Sequence, residues 1–305
     1  MKITNTINRT FSTLTFGSAL FVIVLIISML IALLYESWPT IKHFGFLDFL
    51  RGRQWNYSDE IYGAFRPLAG TAISTALALL MAVPVALGTA IFLTELCPHK
   101  FRGSISTAIE LLAAIPSIIY GMWGLFVLAP FLESHFQPLV GATLGQLPLI
   151  GAFFKSKYAG GSNLFTAAAI LAVMILPFIA SIARDAFSQV PPMLKESSYG
   201  MGATRWETIA HVILPYTKTS VAGGIIMAMG RALGETMAVA YVIGNRHGAL
   251  DSIFSPYTTI TSVMANEFNE AAGLQMSSLF TLALVLLCAN FMVLSLAKYL
   301  LRSKV

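Results

Sequence analysis

The chain has 305 residues, of which 56% are hydrophobic and only 11% are charged, and its mean hydropathy is +0.75. This composition lies outside the range of soluble globular domains and predicts an integral membrane protein. The formal net charge of +5 does not indicate nucleic-acid binding, because the basic residues are spread between apolar segments and do not cluster on one polar face.

Six apolar stretches each approach the roughly 20 residues that a helix needs to cross a bilayer. They are 16–35, 68–94, 105–131, 164–187, 221–243 and 277–300. A weaker stretch, 139–154, is interrupted by three glycines and a proline, so we expect a surface or re-entrant segment there. The sequence therefore predicts an all-α membrane protein with six transmembrane helices.

The first apolar stretch follows Arg9 without a small-residue cleavage site, which favours a retained span over a signal peptide. We divide the chain into an N-terminal segment (1–15), a first span with its loop (16–63) and a core (64–301). The connections 37–67, 132–161 and 244–276 are expected on the outer side, and the first and last of them are long. Aromatic residues in the first of them, such as Trp38 and Trp55, are expected to anchor the membrane surface, the alternative being a docking surface for an external partner.

The lysines and arginines between the six spans indicate the orientation of the chain. Eleven lie on the side of the two termini, and seven lie on the opposite side over longer segments. Because basic residues prefer the cytoplasm, we expect both termini to be cytoplasmic in a multi-pass inner membrane protein surrounded by lipid. Three prolines, Pro84, Pro116 and Pro177, fall inside predicted spans and are expected to loosen those helices.

Residues 188–216, named here the polar loop, interrupt the apolar sequence between the fourth and fifth spans. A charge at the bilayer centre costs about 2.5–3.5 kcal/mol, so this segment is expected to lie in water on the cytoplasmic side. Its acidic, basic and histidine side chains are those of Lys195, Glu196, Arg205, Glu207 and His211.

Local signals predict two short helices in the polar loop. Pro192 suits the first turn of a helix, and Gly200 and Gly202 allow a turn with positive φ angles. Thr204 and Glu207 form the pattern of a capping box that starts the second helix, which Pro215 is expected to end.

The second of these helices carries an apolar stripe. Trp206, Ile209 and either Val212 or Ile213 share one face at helical spacing. An exposed apolar stripe of this kind predicts a docking partner.

The fifth span contains two ionisable residues, Arg231 and Glu235, spaced i to i+4. On one continuous helix both side chains lie on the same face, where they must contact protein or a water-filled path. One interpretation is a structural ion pair. The interpretation that we favour is a site of anion passage, because the guanidinium group suits a tetrahedral oxyanion and Glu235 weakens that attraction enough for release.

Enzyme and metal signatures are not found in the sequence. The five histidines and two cysteines lack ligand spacing, and neither a P-loop nor a nucleophile elbow occurs. We therefore expect no metal site, no cofactor and no catalytic activity on this chain, with a membrane enzyme as the least favoured alternative.

The polar loop resembles the E-A-A-x3-G-x9-I-x-L-P motif of the permease subunits of bacterial ABC importers. The matching positions are Glu196, Ser197, Ser198, Gly202, Val212, Leu214 and Pro215, with serines in place of the two alanines and valine in place of isoleucine. In that family the motif forms a coupling helix that binds the ATPase subunit. The resemblance implies the same role for these residues, with Thr204 and Trp206 beside them.

Two further segments narrow the resemblance to permeases of phosphate-specific ABC importers of the PstC type. One is R-A-L-G-E-T-M-A-V, from Arg231 to Val239, and the other is the stretch from Glu110 to Leu125. The resemblance implies the type I ABC importer permease fold and a role for Arg231 and Glu235 in phosphate passage by alternating access. It also implies a second permease of the PstA type, two ATPase subunits that bind ATP and magnesium, and a periplasmic phosphate-binding protein.

Two other transport functions remain open at this stage. A permease for another oxyanion, such as sulfate, molybdate or tungstate, fits the same arginine, because tetrahedral anions present similar oxygen atoms. A channel or secondary carrier working alone predicts inverted repeats and needs no ATPase, and the sequence shows no clear internal repeat.

Overall fold

A computed structural model describes residues 2–148, 151–155, 158 and 160–302. The helices are α1 (Lys2–Phe44), α2 (Phe46–Arg51), α3 (Phe65–Leu96), α4 (His99–Ala113), α5 (Ser117–Gln146), α6 (Leu164–Ser188), α7 (Pro192–Gly200), α8 (Arg205–Leu233), α9 (Met237–Val242), α10 (Ile260–Glu267) and α11 (Gly273–Arg302). Two short antiparallel strands, β1 (Trp55–Asn56) and β2 (Ile61–Tyr62), follow α2.

Six helices, α1, α3, α5, α6, α8 and α11, are long and apolar enough to cross a membrane. The predicted all-α fold with six spans is therefore confirmed.

The core of the bundle forms where α3 packs against α6. Four alanines spaced four residues apart on α3, Ala78, Ala82, Ala86 and Ala90, are completely or almost completely buried. Because i and i+4 positions lie on one helix face, these alanines form a stripe of small side chains that lets the two helices approach closely. On α6, large side chains including Ile170, Ile175 and Phe187 fill the remaining space.

Helix α1 lies at the edge of the bundle, and the described side chains of its apolar segment are almost all exposed. Its C-terminal part is fixed to α11: the Thr40 hydroxyl lies 3.2 Å from that of Ser278, and the Ser277 hydroxyl donates to the Glu36 carbonyl at 2.7 Å. An apolar helix with so little protein contact suits a lipid environment.

The predicted third span, 105–131, is wrong in its boundaries. Residues up to Ala113 belong to α4, which buries none of its side chains, and the crossing helix α5 starts only at Ser117. Pro116 has an extended ψ of 137° and directly precedes α5. Because proline disfavours helical geometry in the residue before it and tends to start helices, α4 and α5 are two separate helices. Pro84 and Pro177 do lie inside helices, in α3 and α6.

The weak apolar stretch 139–154 is divided in the structure. Its first part continues α5 as far as Gln146, and Gly151–Phe154 forms a separate 3₁₀ turn. It adds no seventh crossing among the described helices. The expectation of a surface or re-entrant segment is therefore wrong for its first half, which belongs to the long helix α5.

At the end of the bundle opposite the polar loop, Glu267 joins three segments. Its carboxylate accepts hydrogen bonds from Trp55 Nε1 at 2.8 Å and Gln275 Nε2 at 2.9 Å, and lies 2.9 Å from His247 Nε2. Trp55 is buried and stacks on His247, so it is a packing residue and the expectation of a membrane-surface anchor is wrong for it. Trp38 is exposed, as expected of an anchor.

Glutamine at position 267 is expected to destabilise the protein in a pH-dependent way. Burial raises the pKa of Glu267, but the hydrogen bonds from His247, Trp55 and Gln275 outweigh it and leave the pKa lowered. A lowered folded-state pKa stabilises the protein above the unfolded pKa of about 4.3, and this stabilisation is lost as the pH falls through the folded value.

At pH 7 we expect Glu267→Gln to cost about 1–2 kcal/mol, measured as a lower thermal midpoint in detergent. The difference from the parent should shrink as the pH is lowered toward about 3, because the protonated carboxyl then resembles the amide. A difference that stays constant over this range would contradict the ionised state of Glu267.

Candidate functional site

The polar loop folds as two helices, as its capping signals predict. Pro192 is in the first turn of α7, and Gly202 has a positive φ of 89° in the turn that follows. Thr204 and Glu207 form the capping box of α8, with Glu207 Oε2 accepting from the Thr204 backbone at 2.7 Å. Gly200 is instead part of α7 with ordinary helical geometry.

Pro215 does not end the second helix, in contrast to the prediction. Residues Ile209–Ile213 form a π-helical turn, in which the Leu214 backbone N–H bonds to the Ile209 carbonyl, and the helix then continues to Leu233. This wide turn shifts the backbone hydrogen bonds by one residue just before Pro215. The helix therefore tolerates the missing N–H and the ring of Pro215. The polar loop and the fifth span are therefore joined by one continuous helix.

The predicted apolar stripe of α8 is divided between two surroundings. Ile209 and Ile213 are only 3% and 0% exposed, because they pack against Ala183, Phe187 and Val190 at the end of α6. Trp206 is 67% exposed. Only the N-terminal part of the stripe is thus free for a partner, where Met193, Leu194, Tyr199 and Met201 of the polar loop add exposed apolar surface.

The residues that match the importer motif are mostly accessible. Ser198 is buried, and its hydroxyl lies 2.9 Å from that of Thr208, which holds α7 against α8. Val212 and Leu214 are half-buried, whereas the other motif positions, Glu196, Ser197, Gly202 and Pro215, are exposed, as are the neighbouring Thr204 and Trp206. The buried serine position therefore fixes the angle between the two helices, while its neighbours present a surface.

Arg231 and Glu235 do not lie on one continuous helix, so the prediction is wrong on this point. Helix α8 ends at Leu233, Gly234 and Glu235 interrupt it, and α9 starts at Met237. Glycine is a weak helix former, and Glu235 accepts from the Ala238 backbone N–H at 3.3 Å as a cap of α9. Thr261 donates to the Glu235 carbonyl at 2.7 Å and so binds the backbone freed by the break.

Arg231 is exposed in the single chain, and its guanidinium group forms no ion pair or hydrogen bond within the described residues. An arginine in a membrane-spanning region cannot face lipid without a large cost. Its surroundings in the membrane must therefore be another protein surface or water.

A groove of about 830 Å³ lies beside the helix break. It is bordered by Gly234 and Thr236 at the break, Met264 and Asn266 from the region of α10, and Leu287 and Asn290 of α11. Non-helical backbone within a membrane is tolerated where it is covered by protein or borders a water-filled cavity. The groove thus provides the surroundings that the break requires.

Asn290 is a polar residue within the sixth span that the sequence analysis did not identify. Its Oδ1 atom is buried without a hydrogen-bond partner in the described part of the chain, and a Cβ atom at Gly230 would lie 3.7 Å from it. The Asn290 amide on α11 therefore lies beside Gly230 of α8, the residue that precedes Arg231. The sequence did contain a signal for this residue, which is the asparagine itself within a predicted span. A polar side chain that faces lipid is costly, so such residues face the bundle interior.

Among the described residues, no group of three or more histidine, cysteine, aspartate or glutamate side chains is arranged to hold a metal ion. The groove itself is bordered by amide and hydroxyl groups, including those of Asn290 and Thr236, whereas Arg231 and Glu235 lie at the helix break and are not among the residues that border it. A guanidinium group and neutral donors of this kind can bind an anion.

Comparison with known families matches residues 82–304 to the family described as "Binding-protein-dependent transport system inner membrane component". Similar proteins include one from Haemophilus influenzae, 52% identical over 92% of this chain and 88% of its own length. A protein from Pasteurella multocida is 51% identical with the same coverage, and one from Mesorhizobium japonicum is 50% identical over 95% of this chain and 89% of its own. Each is named "Phosphate transport system permease protein PstC".

Solved structures share the fold at lower sequence identity. A chain of a bacterial alginate ABC transporter, crystallised with a periplasmic protein that binds an alginate pentasaccharide, has a TM-score of 0.62 at 16% identity, covering 95% of this chain and 94% of its own. A chain of the MetNI methionine ABC transporter has a TM-score of 0.52 at 17% identity, over 77% of this chain and 91% of its own.

These likenesses confirm the type I ABC importer permease fold for this chain, with α7 between the fourth and fifth spans. Together with the family match over most of its length, they show that the chain is a multi-pass membrane protein and belongs to the family of inner membrane components of binding-protein-dependent transport systems.

Proposed function

We propose that this chain is the transmembrane subunit of an ATP-driven importer that moves inorganic phosphate from the periplasm to the cytoplasm by alternating access. The observation that carries the proposal is the identity of about half of all residues, over nine-tenths of the chain, with proteins named as phosphate transport permeases. The unpaired arginine beside an interrupted span supports it, because an oxyanion needs such a donor group.

Phosphate passes, in this proposal, along the groove at the helix break. Arg231 attracts the anion with a planar set of N–H donors, and the carboxylate of Glu235 keeps that attraction weak enough for release. The hydroxyl of Thr236 and the amides of Asn266 and Asn290 add neutral donors along the groove. Neutral donors bind phosphate oxygens without trapping the ion.

The polar loop is the proposed ATPase-binding element. Both chain termini and this loop lie in the cytoplasm, in agreement with the excess of lysine and arginine on that side. The exposed motif positions around Glu196, Gly202 and Trp206 contact a partner subunit, and that partner binds ATP and magnesium and hydrolyses the nucleotide. The complete transporter contains two such ATPase subunits, a second permease of the PstA type and a periplasmic phosphate-binding protein.

Purification of the chain from its native membranes in mild detergent tests this composition. We expect a P-loop ATPase and a second, related permease to be recovered with it in defined proportions. Recovery of the chain alone, from membranes in which it moves phosphate, would contradict the proposal and favour a carrier that works without partners.

Alanine at position 206 is expected to weaken ATPase binding about 30-fold, because an exposed tryptophan at an interface commonly contributes about 2 kcal/mol. The measurement is the amount of ATPase recovered with the chain as the salt and detergent washes are extended. Tyr57→Ala is a matched control, since Tyr57 is similarly exposed at the opposite end of the bundle. Equal recovery for both variants would contradict a role for Trp206 in docking.

A further inference from the structure

One ion pair connects the polar loop to a helix other than the two that the loop joins. Lys195 Nζ of α7 lies 2.6 Å from Glu95 Oε1 in the last turn of α3, and the two side chains are 22% and 11% exposed. The two residues are 100 positions apart in the sequence. The second span is thereby attached to the loop that carries the importer motif.

The mostly buried position of the pair makes its separation unfavourable. A buried charge that loses its partner keeps its desolvation cost without compensation, so α7 and the end of α3 are expected to move together. The same turn of α3 is also held by Arg102, whose Nη2 donates to the Thr94 carbonyl at 2.6 Å. The end of α3 is therefore attached to the polar loop by Glu95 and to α4 by Thr94.

The other end of α3 contacts the segment that supports the helix break. A Cβ atom at Gly70 would lie only 1.9 Å from the Thr258 carbonyl oxygen, which shows how closely the two backbones approach. The Ile260 backbone N–H donates to Thr71 Oγ1 at 3.0 Å. The next residue, Thr261, donates to the Glu235 carbonyl at 2.7 Å.

We propose that Lys195 is a positioning residue that transmits displacement of the polar loop to α3 through Glu95. At the other end of α3, Thr71, Ile260 and Thr261 pass this displacement on to the backbone of Glu235. This path is separate from the continuous helix α8, which joins the loop to Arg231 directly. The polar loop is thus attached to both sides of the helix break, at Arg231 through α8 and at Glu235 through α3. The opening and closing of the break therefore depend on the position of the loop. The inference rests on the proposed ATP-driven function.

The test is the number of phosphate ions imported per ATP hydrolysed by the complete complex in proteoliposomes. Glu95→Gln and Lys195→Met should each lower this ratio about tenfold while ATP hydrolysis continues, because changes along a coupling network weaken the coupling between its two ends. Lys195→Arg keeps the charge and should behave as the parent. The exchanged pair Glu95→Lys with Lys195→Glu should recover most of the ratio.

Two further variants separate transmission from folding. Glu110→Gln removes a more exposed ion pair, 2.8 Å from Arg184, that joins α4 to α6 without touching the polar loop, and its ratio should equal that of the parent. Thr261→Val removes the hydrogen bond at the far end of the path and should lower the ratio, with little further loss when combined with Glu95→Gln.

A parent-like ratio in both Glu95→Gln and Lys195→Met would overturn the inference. An equal loss in Glu110→Gln would also overturn it, because the effect would then be general destabilisation. Neither result would affect the proposed function, which is tested separately by ATP-dependent phosphate import in the parent complex.

Discussion

Replacing Arg231 with glutamine is expected to lower ATP-dependent phosphate import about 30- to 100-fold, which corresponds to the loss of a hydrogen-bonded charge worth about 2–3 kcal/mol. The side chain makes no ion pair within the described residues, so its removal leaves no charged group of this part of the chain unpaired. Initial rates of labelled phosphate uptake, corrected for the amount of assembled complex, measure the effect.

Arg51→Gln is a matched control for this substitution. Arg51 is exposed at the end of α2, far along the chain from the helix break, and its replacement should leave uptake unchanged. Glu235→Gln should have a smaller effect than Arg231→Gln, because the amide oxygen can still accept from the Ala238 backbone. Uptake at the parent rate in both Arg231→Gln and Glu235→Gln would remove the two residues from the phosphate path.

Gly70→Ala is expected to lower the free energy of unfolding by about 3 kcal/mol or more. No other single methyl group added to α3 is expected to cost as much. The added carbon would come 1.9 Å from the Thr258 carbonyl oxygen, so two backbones must separate and the hydrogen bond between Ile260 and Thr71 must stretch. Thermal unfolding in detergent, followed by loss of the monodisperse protein, gives the comparison with the parent.

Gly88→Ala on the same helix is the matched control. A Cβ atom at Gly88 meets nothing within 4 Å, so the substitution should be neutral or should stabilise the helix by about 0.5–1 kcal/mol. A similar decrease in thermal midpoint for both variants would show that the close approach at Gly70 does not determine the stability of this region.

Local signals in the sequence predicted local structure well. Thr204 and Glu207 are three residues apart, and the capping box that they form needs no information from the rest of the chain. The six spans followed from length and apolarity in the same way. Gly202 adopts the positive φ expected of a turn glycine.

Features that depend on tertiary structure were not predictable in this way. Pro215 reads as a helix end, but the π-helical turn before it and the packing of Ile209 and Ile213 keep the helix continuous. Spacing places Arg231 and Glu235 on one face only if the helix continues. The helix is interrupted at Gly234, and the Glu235 carbonyl next to it accepts a hydrogen bond from Thr261, a residue of a distant segment.

Contacts between distant segments had no signal in the sequence at all. The pair of Lys195 and Glu95 joins residues 100 positions apart, and Trp55 contacts Glu267 across 212 positions. Each of these residues has an ordinary local interpretation, as a solvated charge or a membrane-surface aromatic. Their partners are set by the way the helices pack, which periodicity does not specify.

The most direct test of the proposed function is the accumulation of labelled phosphate in proteoliposomes that contain this chain with its ATPase, its second permease and its external binding protein. We expect uptake only when ATP and magnesium are present on the ATPase side, with unlabelled phosphate competing and sulfate, molybdate and tungstate having little effect. Uptake without ATP would contradict an ATP-driven importer, and stronger competition by one of the other oxyanions would contradict phosphate as the substrate.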